Sequence, residues 1–85
     1  MYAVYVIQHD PSKEIYIGYT ANLKARLANH NGGKSLYTKR VDGSWRYAYV
    51  ELYRNASDAR TRERKLKHHG SGKHELLKRI RRSLA

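Results

Sequence analysis

The chain has 85 residues, of which 18 are Lys or Arg and 7 are Asp or Glu, so it carries a formal charge of +11 with its five His counted neutral. This length predicts a single domain, residues 1–85, and the absence of Cys excludes a disulfide scaffold and a thiolate metal site. No run approaches the roughly 18 apolar residues of a membrane span, and the first residues lack the basic flank of a secretory signal. We therefore expect no membrane association and a cytoplasmic or nucleoid-associated protein.

The excess of positive charge predicts a polyanionic partner. A compact chain with this charge repels itself, whereas a phosphate backbone binds Lys and Arg with release of counterions. Ten of the 18 basic residues lie between residues 60 and 82, where the acids are Glu63 and Glu75. We therefore expect a nucleic acid as the partner, rather than an acidic membrane or protein surface. The residues expected to bind it are Arg60, Arg64, Lys67, Lys73, Lys78, Arg79 and Arg82.

Three stretches of the chain carry the β-branched and aromatic residues that are typical of strands. The first two are separated by Asp10-Pro11-Ser12 and are predicted to form a hairpin. The third follows a polar segment, residues 33–45, that has no clear period and is predicted to be a loop. The predicted strands cover residues 1–8, 15–20 and 46–53.

Three other stretches have the apolar period of helices. Asn22 is predicted to cap the first helix, and Gly32-Gly33 to end it. Either Asn55 or Ser57 caps the second, which we expect to run to about His68 and to be stopped by Gly70. Ser71 is predicted to cap the third, with a buried stripe formed by Leu76, Leu77, Ile80 and Leu84. The first two helices are predicted over residues 22–31 and about 55–68, which makes the element order β-β-α-β-α-α.

Glu63 is an acid on the inward face of a very basic helix. It falls between Ala59 and Leu66, on the same face as these two apolar residues. One interpretation is an intrahelical ion pair with Lys67 at i+4 or Arg60 at i−3, which stabilises a helix by about 0.2–0.5 kcal/mol. The other is a ligand for a hard cation, because Mg²⁺ typically takes one or two carboxylates and leaves its other positions to water and phosphate. The residues alone leave both open.

Several other polar or aromatic residues have two possible roles. Arg26 and His30 are four apart on the first predicted helix and project from one side of it, where an Arg fork suits phosphate and a His can pass a proton. Such residues are also common on solvated helix faces. Tyr5 and Tyr16, on opposite arms of the hairpin, are at positions where tyrosines commonly pack. Trp45 is predicted to pack on the core or its rim, with stacking on a base as the alternative.

Paired tyrosine motifs connect these residues to a known family. Ala3-Val4-Tyr5 and Tyr16-Ile17-Gly18, separated by ten residues, resemble the two motifs that name the GIY-YIG nuclease family. Thr20-x-Asn22-Leu23-x-x-Arg26-x-x-x-His30-Asn31-x-Gly33 resembles the family's helix motif, and Ala59-x-x-x-Glu63-x-x-Leu66-Lys67 resembles the segment with its metal-binding Glu. The resemblance runs from Tyr2 to about Lys78 and is greatest to small stand-alone members. The chain has Ala3-Val4 in place of Gly-Ile, and it has no Asn after Asn55, where many members place one in a late helix.

The resemblance implies an α+β fold, with a small three-stranded antiparallel sheet flanked by three helices. It also implies an enzyme that hydrolyses phosphodiesters with one divalent cation. It implies that Glu63 holds the Mg²⁺ or Mn²⁺ and that Arg26 binds the scissile phosphate. Tyr5 is implied to be the general base or to position the water, with Tyr16 and His30 assisting. Because an unperturbed tyrosine pKa near ~10 makes a poor base at neutral pH, the choice between Tyr5 and His30 as the base stays open.

The resemblance also implies a substrate class. The expected function is a metal-dependent DNA endonuclease of low sequence specificity, acting as a monomer in DNA repair, with DNA more expected than RNA. Gly18 is implied to let the backbone and the substrate approach closely. We expect substrate shape or a protein partner to supply specificity. The alternative is a DNA- or RNA-binding module of the same fold with little or no turnover.

Overall fold

A computed structural model describes residues 1–35, 38–39, 43–68 and 70–84 of the chain. Within them lie three strands and three helices in the predicted order, which confirms the α+β class. Part of the predicted loop over 33–45 falls on residues 36–37 and 40–42, outside the described residues. The elements are β1 (Tyr2–His9), β2 (Ile15–Thr20), α1 (Leu23–Asn31), β3 (Trp45–Tyr53), α2 (Ala56–Lys67) and α3 (Ser71–Arg79).

The three strands form one antiparallel sheet with β1 in the middle, in the order β2-β1-β3. The predicted hairpin of β1 and β2 is confirmed, and its register places Tyr5 directly opposite Gly18. On the other side of β1, Tyr5 pairs with Val50, and the register of β3 shifts between Val6 and Ile7. The central strand is therefore buried on both faces, while β2 and β3 form the edges of the sheet.

The two faces of the sheet carry two separate cores, because successive strand residues point to opposite sides. On one face, Val4 and Val6 of β1 pack against α2 and α3 through Leu66 and Leu76. On the other face, a cluster that contains Tyr5, Ile7 and Trp45 packs against Leu23 and Leu27 of α1. Trp45 begins β3 rather than lying in the predicted loop, and it is 4% exposed, which confirms the prediction that it packs.

Two asparagine side chains fix where helices begin. The Asn22 side chain accepts a hydrogen bond from the backbone N–H of Ala25 and so caps α1, as predicted. The Asn55 side chain accepts from the N–H groups of Ser57 and Asp58, so Asn55 is the cap of α2 and Ser57 is not. At the end of α1, Gly33 has φ +73°, a left-handed conformation that glycine adopts without a Cβ penalty.

The predictions that Gly70 ends α2 and that Ser71 caps α3 are wrong. The second helix ends at Lys67 because the backbone of His68 is extended, with φ −75° and ψ 138°. Gly70 is instead the N-cap of α3: its carbonyl accepts a hydrogen bond from His74 N, and Ser71 is the first helical residue. Leu84 lies beyond α3 but packs against the core as predicted. Within the part of the chain that the structure describes, no helix has the length and apolar character needed to cross a bilayer.

Candidate active site

The hydroxyl of Tyr5 is the centre of a buried polar cluster on the α1 side of the sheet. Arg26 donates to it from Nε at 3.0 Å, and its oxygen lies 2.8 Å from His30 Nε2. Arg26 and His30 are four residues apart on α1, so both side chains project toward the same strand. The fold therefore brings together three of the five residues that the sequence marked as catalytic.

Gly18 makes the position of the Tyr5 ring possible. A Cβ added at Gly18 would overlap the hydroxyl end of the Tyr5 ring, which lies across β2 at this point of the register. The group that lies close to Gly18 is therefore the side chain of Tyr5, and the close approach of a substrate to Gly18 stays a prediction. A larger residue at position 18 would push the Tyr5 hydroxyl away from Arg26 and His30.

His30 is held from its second ring nitrogen by Thr38, a residue that the sequence did not single out. His30 Nδ1 lies 2.7 Å from Thr38 Oγ1, and the Thr38 carbonyl accepts a hydrogen bond from Trp45 Nε1 at 2.7 Å. The Asn31 side chain clamps the end of α1 to β3, since it donates to the Trp45 carbonyl and accepts from Trp45 N. A threonine in a polar segment without a period gave no signal of this role.

Burial and charge set the protonation states of the cluster. Burial, followed by the charge of Arg26, lowers the pKa of His30 to about 4, and this residue is 1% exposed. Burial also raises the pKa of Tyr5 to about 12, although the hydrogen bond from Arg26 acts in the opposite direction. The hydrogen bond to Tyr5 in turn raises the pKa of Arg26. At neutral pH the cluster thus consists of a neutral imidazole, a neutral phenol and a charged guanidinium.

Tyr16 completes the aromatic part of the cluster at the edge of the sheet. Its ring centroid lies 5.1 Å from the ring of His30 and 6.4 Å from that of Tyr5. It is half-buried, whereas Tyr5 and His30 are buried. Tyr16 is therefore the tyrosine of this pair that faces the solvent along β2.

Glu63 reaches the same edge from α2, with Lys67 between it and Tyr16. Its carboxylate is 20% exposed and forms an ion pair with Lys67 Nζ at 3.1 Å. The Lys67 ammonium also lies 5.1 Å from the centroid of the Tyr16 ring. The ion-pair interpretation of Glu63 is thus correct, with Lys67 as the partner, while Arg60 stands over the ring of Tyr19. An ion pair with a partly exposed lysine is compatible with metal binding, because such pairs are weak.

The predicted nucleic-acid-binding residues fall into two groups. Those on α2 are exposed and follow the edge of the sheet beside the polar cluster: Arg60, Arg64 and Lys67. The others lie on or just after α3, exposed except for the partly buried Lys73: Lys73, Lys78, Arg79 and Arg82. Of these residues, the structure places Arg60 and Lys67 in contact with the tyrosines of β2.

A second polar network, which sequence analysis missed, joins β3 to α2. Arg62 binds the Glu51 carboxylate through both Nε and Nη2 at 3.0–3.2 Å, and the hydroxyls of Tyr49 and Tyr53 donate to the same carboxylate. Burial raises the pKa of Glu51, but the hydrogen bonds from Arg62, Tyr53 and Tyr49 outweigh it and the pKa is lowered. Because Arg62 precedes Glu63 in the chain, this network fixes the part of α2 from which Glu63 projects.

The fold and this cluster define a small nuclease-type domain. A family model described as the GIY-YIG catalytic domain matches residues 1–75, and the chain belongs to this family. Nucleases of the family generally use a divalent metal and act on nucleic acid.

Two curated relatives give the nearer context. The chain is 33% identical over 64 residues to UPF0213 protein SH2523 of Staphylococcus haemolyticus, covering 75% of this chain and 77% of that protein. It is 37% identical over 55 residues to UPF0213 protein OB0043 of Oceanobacillus iheyensis, covering 65% and 64%. No solved structure matches the chain.

The carboxylate of Glu63, beside Tyr16, fits a metal that is held by few protein ligands. The described ranges contain no group of three or more His, Cys, Asp or Glu side chains that could enclose an ion. Glu63 therefore offers a single carboxylate, and Mg²⁺ accepts such sites because it keeps several waters and binds substrate phosphate directly.

Proposed function

We propose that the chain is a metal-dependent endonuclease that hydrolyses phosphodiester bonds of DNA with low intrinsic sequence specificity. The observation that carries the proposal is the Tyr5 hydroxyl held between a charged Arg26 and a neutral, buried His30. Binding of a phosphate backbone requires only exposed cations, whereas a tyrosine joined to both a guanidinium and a neutral imidazole suits proton transfer next to a phosphate. Membership of a nuclease family supports the same class.

Glu63 is the residue that we propose holds the Mg²⁺ or Mn²⁺. When bound, the cation neutralises charge on a phosphoryl oxygen and lowers the pKa of a bound water. Glu63 supplies the carboxylate from α2, on the side of β2 where Lys67 already connects it to Tyr16. Glu63 would thus be one ligand of the ion, and its other ligands would be water and substrate phosphate.

Arg26 is proposed to bind the scissile phosphate. Its guanidinium is hydrogen-bonded through Nε to the Tyr5 hydroxyl and also bonds Tyr16, and its planar fork suits phosphate oxygens. The hydrogen bond to Tyr5 fixes the guanidinium in advance, so its charge is in place as negative charge develops on the phosphate. The half-buried position of Arg26 strengthens this effect relative to a fully solvated cation.

Tyr5 is proposed to meet the attacking water, with His30 acting through it. His30 Nε2 lies 2.8 Å from the Tyr5 hydroxyl, so His30 can act on the water through that hydroxyl. The hydroxyl can give its proton to His30 Nε2 while it takes a proton from the water, and the water oxygen then bonds to phosphorus as the leaving oxygen departs. This exchange avoids a free phenolate, which a Tyr5 pKa of about 12 makes unfavourable. Tyr16 is proposed to assist by orienting the Tyr5 hydroxyl from the solvent side of the cluster.

We propose that seven cations on α2 and on or just after α3 hold the nucleic acid, with DNA more expected than RNA: Arg60, Arg64, Lys67, Lys73, Lys78, Arg79 and Arg82. Charge of this kind gives affinity without reading sequence, so substrate shape or a protein partner is proposed to supply selectivity. We further propose that the protein acts as a monomer in DNA repair and is cytoplasmic or nucleoid-associated. On duplex DNA the affinity should fall with salt, with a log-log slope of about 0.9 per phosphate neutralised; a complex insensitive to salt would contradict this surface.

The proposal is tested with supercoiled plasmid in Mg²⁺ or Mn²⁺, with and without a chelator. Wild-type protein should nick the plasmid only with metal, while Arg26→Ala and Glu63→Gln should not. Lys65→Gln is the matched control, since it removes an exposed α2 charge and should nick at the wild-type rate. Full activity in Glu63→Gln would overturn the metal assignment. Retardation of the plasmid by wild-type protein without nicking in either metal would identify a binding module instead.

A further inference from the structure

Helix α2 follows the edge strand β2 in a register defined by two contacts between cations and rings. Arg60 lies 5.1 Å from the ring centroid of Tyr19, and Lys67 lies 5.1 Å from that of Tyr16. Arg60 and Lys67 are seven residues apart, which is a rise of about 10.5 Å along a helix. Tyr16 and Tyr19 are three residues apart, which is about 10 Å along a strand, so the spacing of the two cations matches that of the two rings. Glu63, between Arg60 and Lys67, therefore lies beside the middle of β2.

Lys67 connects the two faces of the sheet. Tyr16 and Tyr19 are three residues apart and so point to opposite faces. Arg60 contacts the tyrosine on the α2 side, whereas the ammonium of Lys67 contacts the tyrosine of the Tyr5 cluster. The same ammonium is 3.1 Å from a carboxylate oxygen of Glu63.

The Lys67 ammonium thus lies against one of the two Glu63 carboxylate oxygens, Oε2, an atom for which a divalent cation would compete with it. Two cations cannot share one carboxylate oxygen at contact distance without strong repulsion. Lys67 is 44% exposed on a flexible stem, and exposed ion pairs of this kind are weak, so its ammonium can leave without disturbing the core.

We propose that Lys67 is an exchangeable internal cation: it holds the Glu63 carboxylate beside Tyr16 in the metal-free protein and is displaced when a divalent cation binds that carboxylate. This inference rests on the proposed function, because it takes Glu63 as the metal-binding residue. Lys67 keeps Glu63 directed along β2, and it also competes with the metal. An i, i+4 pair that only supports the helix would stay in place when metal is added.

The displacement can be observed at Lys67 itself by NMR. In the metal-free protein the Cε–Hε resonances of Lys67 should be shifted by the Tyr16 ring, and addition of Mg²⁺ should move them toward the positions of exposed lysines. Lys65, exposed on the same helix, is the internal reference and should not move. In Glu63→Gln the Lys67 resonances should no longer respond to Mg²⁺. Lys67 resonances that stay in place while Mg²⁺ shifts the amides around Glu63 would overturn the inference.

The competition can be measured as Mn²⁺ affinity by electron paramagnetic resonance of the free ion. Lys67→Gln should tighten binding about two- to fivefold, the range that corresponds to an exposed ion pair. Lys65→Gln removes the same charge without the contact and should change the affinity less, while Lys67→Arg should restore values near wild type.

The two measurements separate this inference from the proposed function. If neither wild type nor Lys67→Gln binds Mn²⁺ in a way that Glu63→Gln abolishes, the metal site of the proposed function fails. If Glu63-dependent binding is present but equal in Lys67→Gln and Lys65→Gln, the metal site stands and the role of Lys67 is refuted.

Discussion

Lowering the pH should destabilise the folded chain through His30. Its pKa is depressed from 6.5 to about 4 in the folded state, so between these values the unfolded chain binds more protons and stability falls as the pH falls. At pH values above the pKa of His30 in the unfolded chain, the contribution of neutral His30 to stability is fully present. Applied to these two pKa values, the linkage relation gives a loss of about 2 kcal/mol in the free energy of unfolding between pH 7 and pH 5.

The assay is urea unfolding of wild type, His30→Gln and His74→Gln at both pH values, with a common m value. Gln keeps hydrogen-bonding groups at position 30 but does not titrate. The groups that surround His30 are Tyr5 on β1, Tyr16 on β2, Arg26 on α1 and Thr38. Burial raises the pKa of Tyr5 to about 12 and the hydrogen bond to Tyr5 raises the pKa of Arg26, so neither of these two groups changes charge in this range. His74 is exposed on α3, so its variant controls for the loss of an exposed histidine.

Between pH 7 and pH 5, the free energy of unfolding of His30→Gln should fall by about 2 kcal/mol less than that of wild type. The free energy of unfolding of His74→Gln should fall as much as that of wild type. An equal pH dependence in wild type and His30→Gln would refute the assignment of a neutral, buried imidazole. It would also remove the proton acceptor from the proposed mechanism.

Three substitutions test the packing that supports the site. Tyr5→Phe should lower the free energy of unfolding by about 1–3 kcal/mol, because it leaves a buried ring nitrogen of His30 unpaired, and should slow cleavage about 10²–10⁴-fold. Gly18→Ala should destabilise the fold by about 1–3 kcal/mol and slow cleavage, because the added methyl displaces the Tyr5 ring. Glu51→Gln should destabilise the fold by about 1–3 kcal/mol, since it weakens the charged hydrogen bonds from Arg62. Unfolding followed by circular dichroism and single-turnover cleavage measure these effects.

Tyr47→Phe is the matched control for Tyr5→Phe. Tyr47 belongs to the same cluster, and its hydroxyl donates to the Leu23 carbonyl rather than to His30. The Tyr47→Phe variant should have a free energy of unfolding lower by about 1 kcal/mol and should cleave at the wild-type rate. Equal cleavage rates in Tyr5→Phe and Tyr47→Phe would contradict the role of the Tyr5 hydroxyl, and wild-type stability in Gly18→Ala would contradict the packing of the Tyr5 ring.

Local chemistry made the element order predictable from sequence. Asn22 has one available role, since its side chain precedes an apolar helical period, and it caps α1 as expected. Between α2 and α3 the signals conflicted, because Gly70 suits either the end of one helix or the start of the next. The extended backbone of His68 ends α2 before Gly70 is reached, and no rule of local composition predicts this backbone conformation.

The candidate site was predictable where it follows a family motif and not where it depends on tertiary contacts. Tyr5 and Arg26 could be named from sequence, but the hydrogen bond between them depends on how α1 packs on β1. Thr38 and Glu51 could not be named, because their partners come from distant segments of the chain. The pairing of Glu63 with Lys67 was one of two intrahelical options, and the tyrosine on β2 favours Lys67.

The central claim is that the Tyr5 cluster and Glu63 act as one phosphodiesterase site. The most direct test is the single-turnover rate constant for metal-dependent cleavage of a DNA duplex by wild type, Tyr5→Phe, Glu63→Gln and the double variant. Residues that serve one site are strongly non-additive, so the double variant should be no slower than the slower single variant. Losses that multiply, or wild-type cleavage in either single variant, would contradict the account.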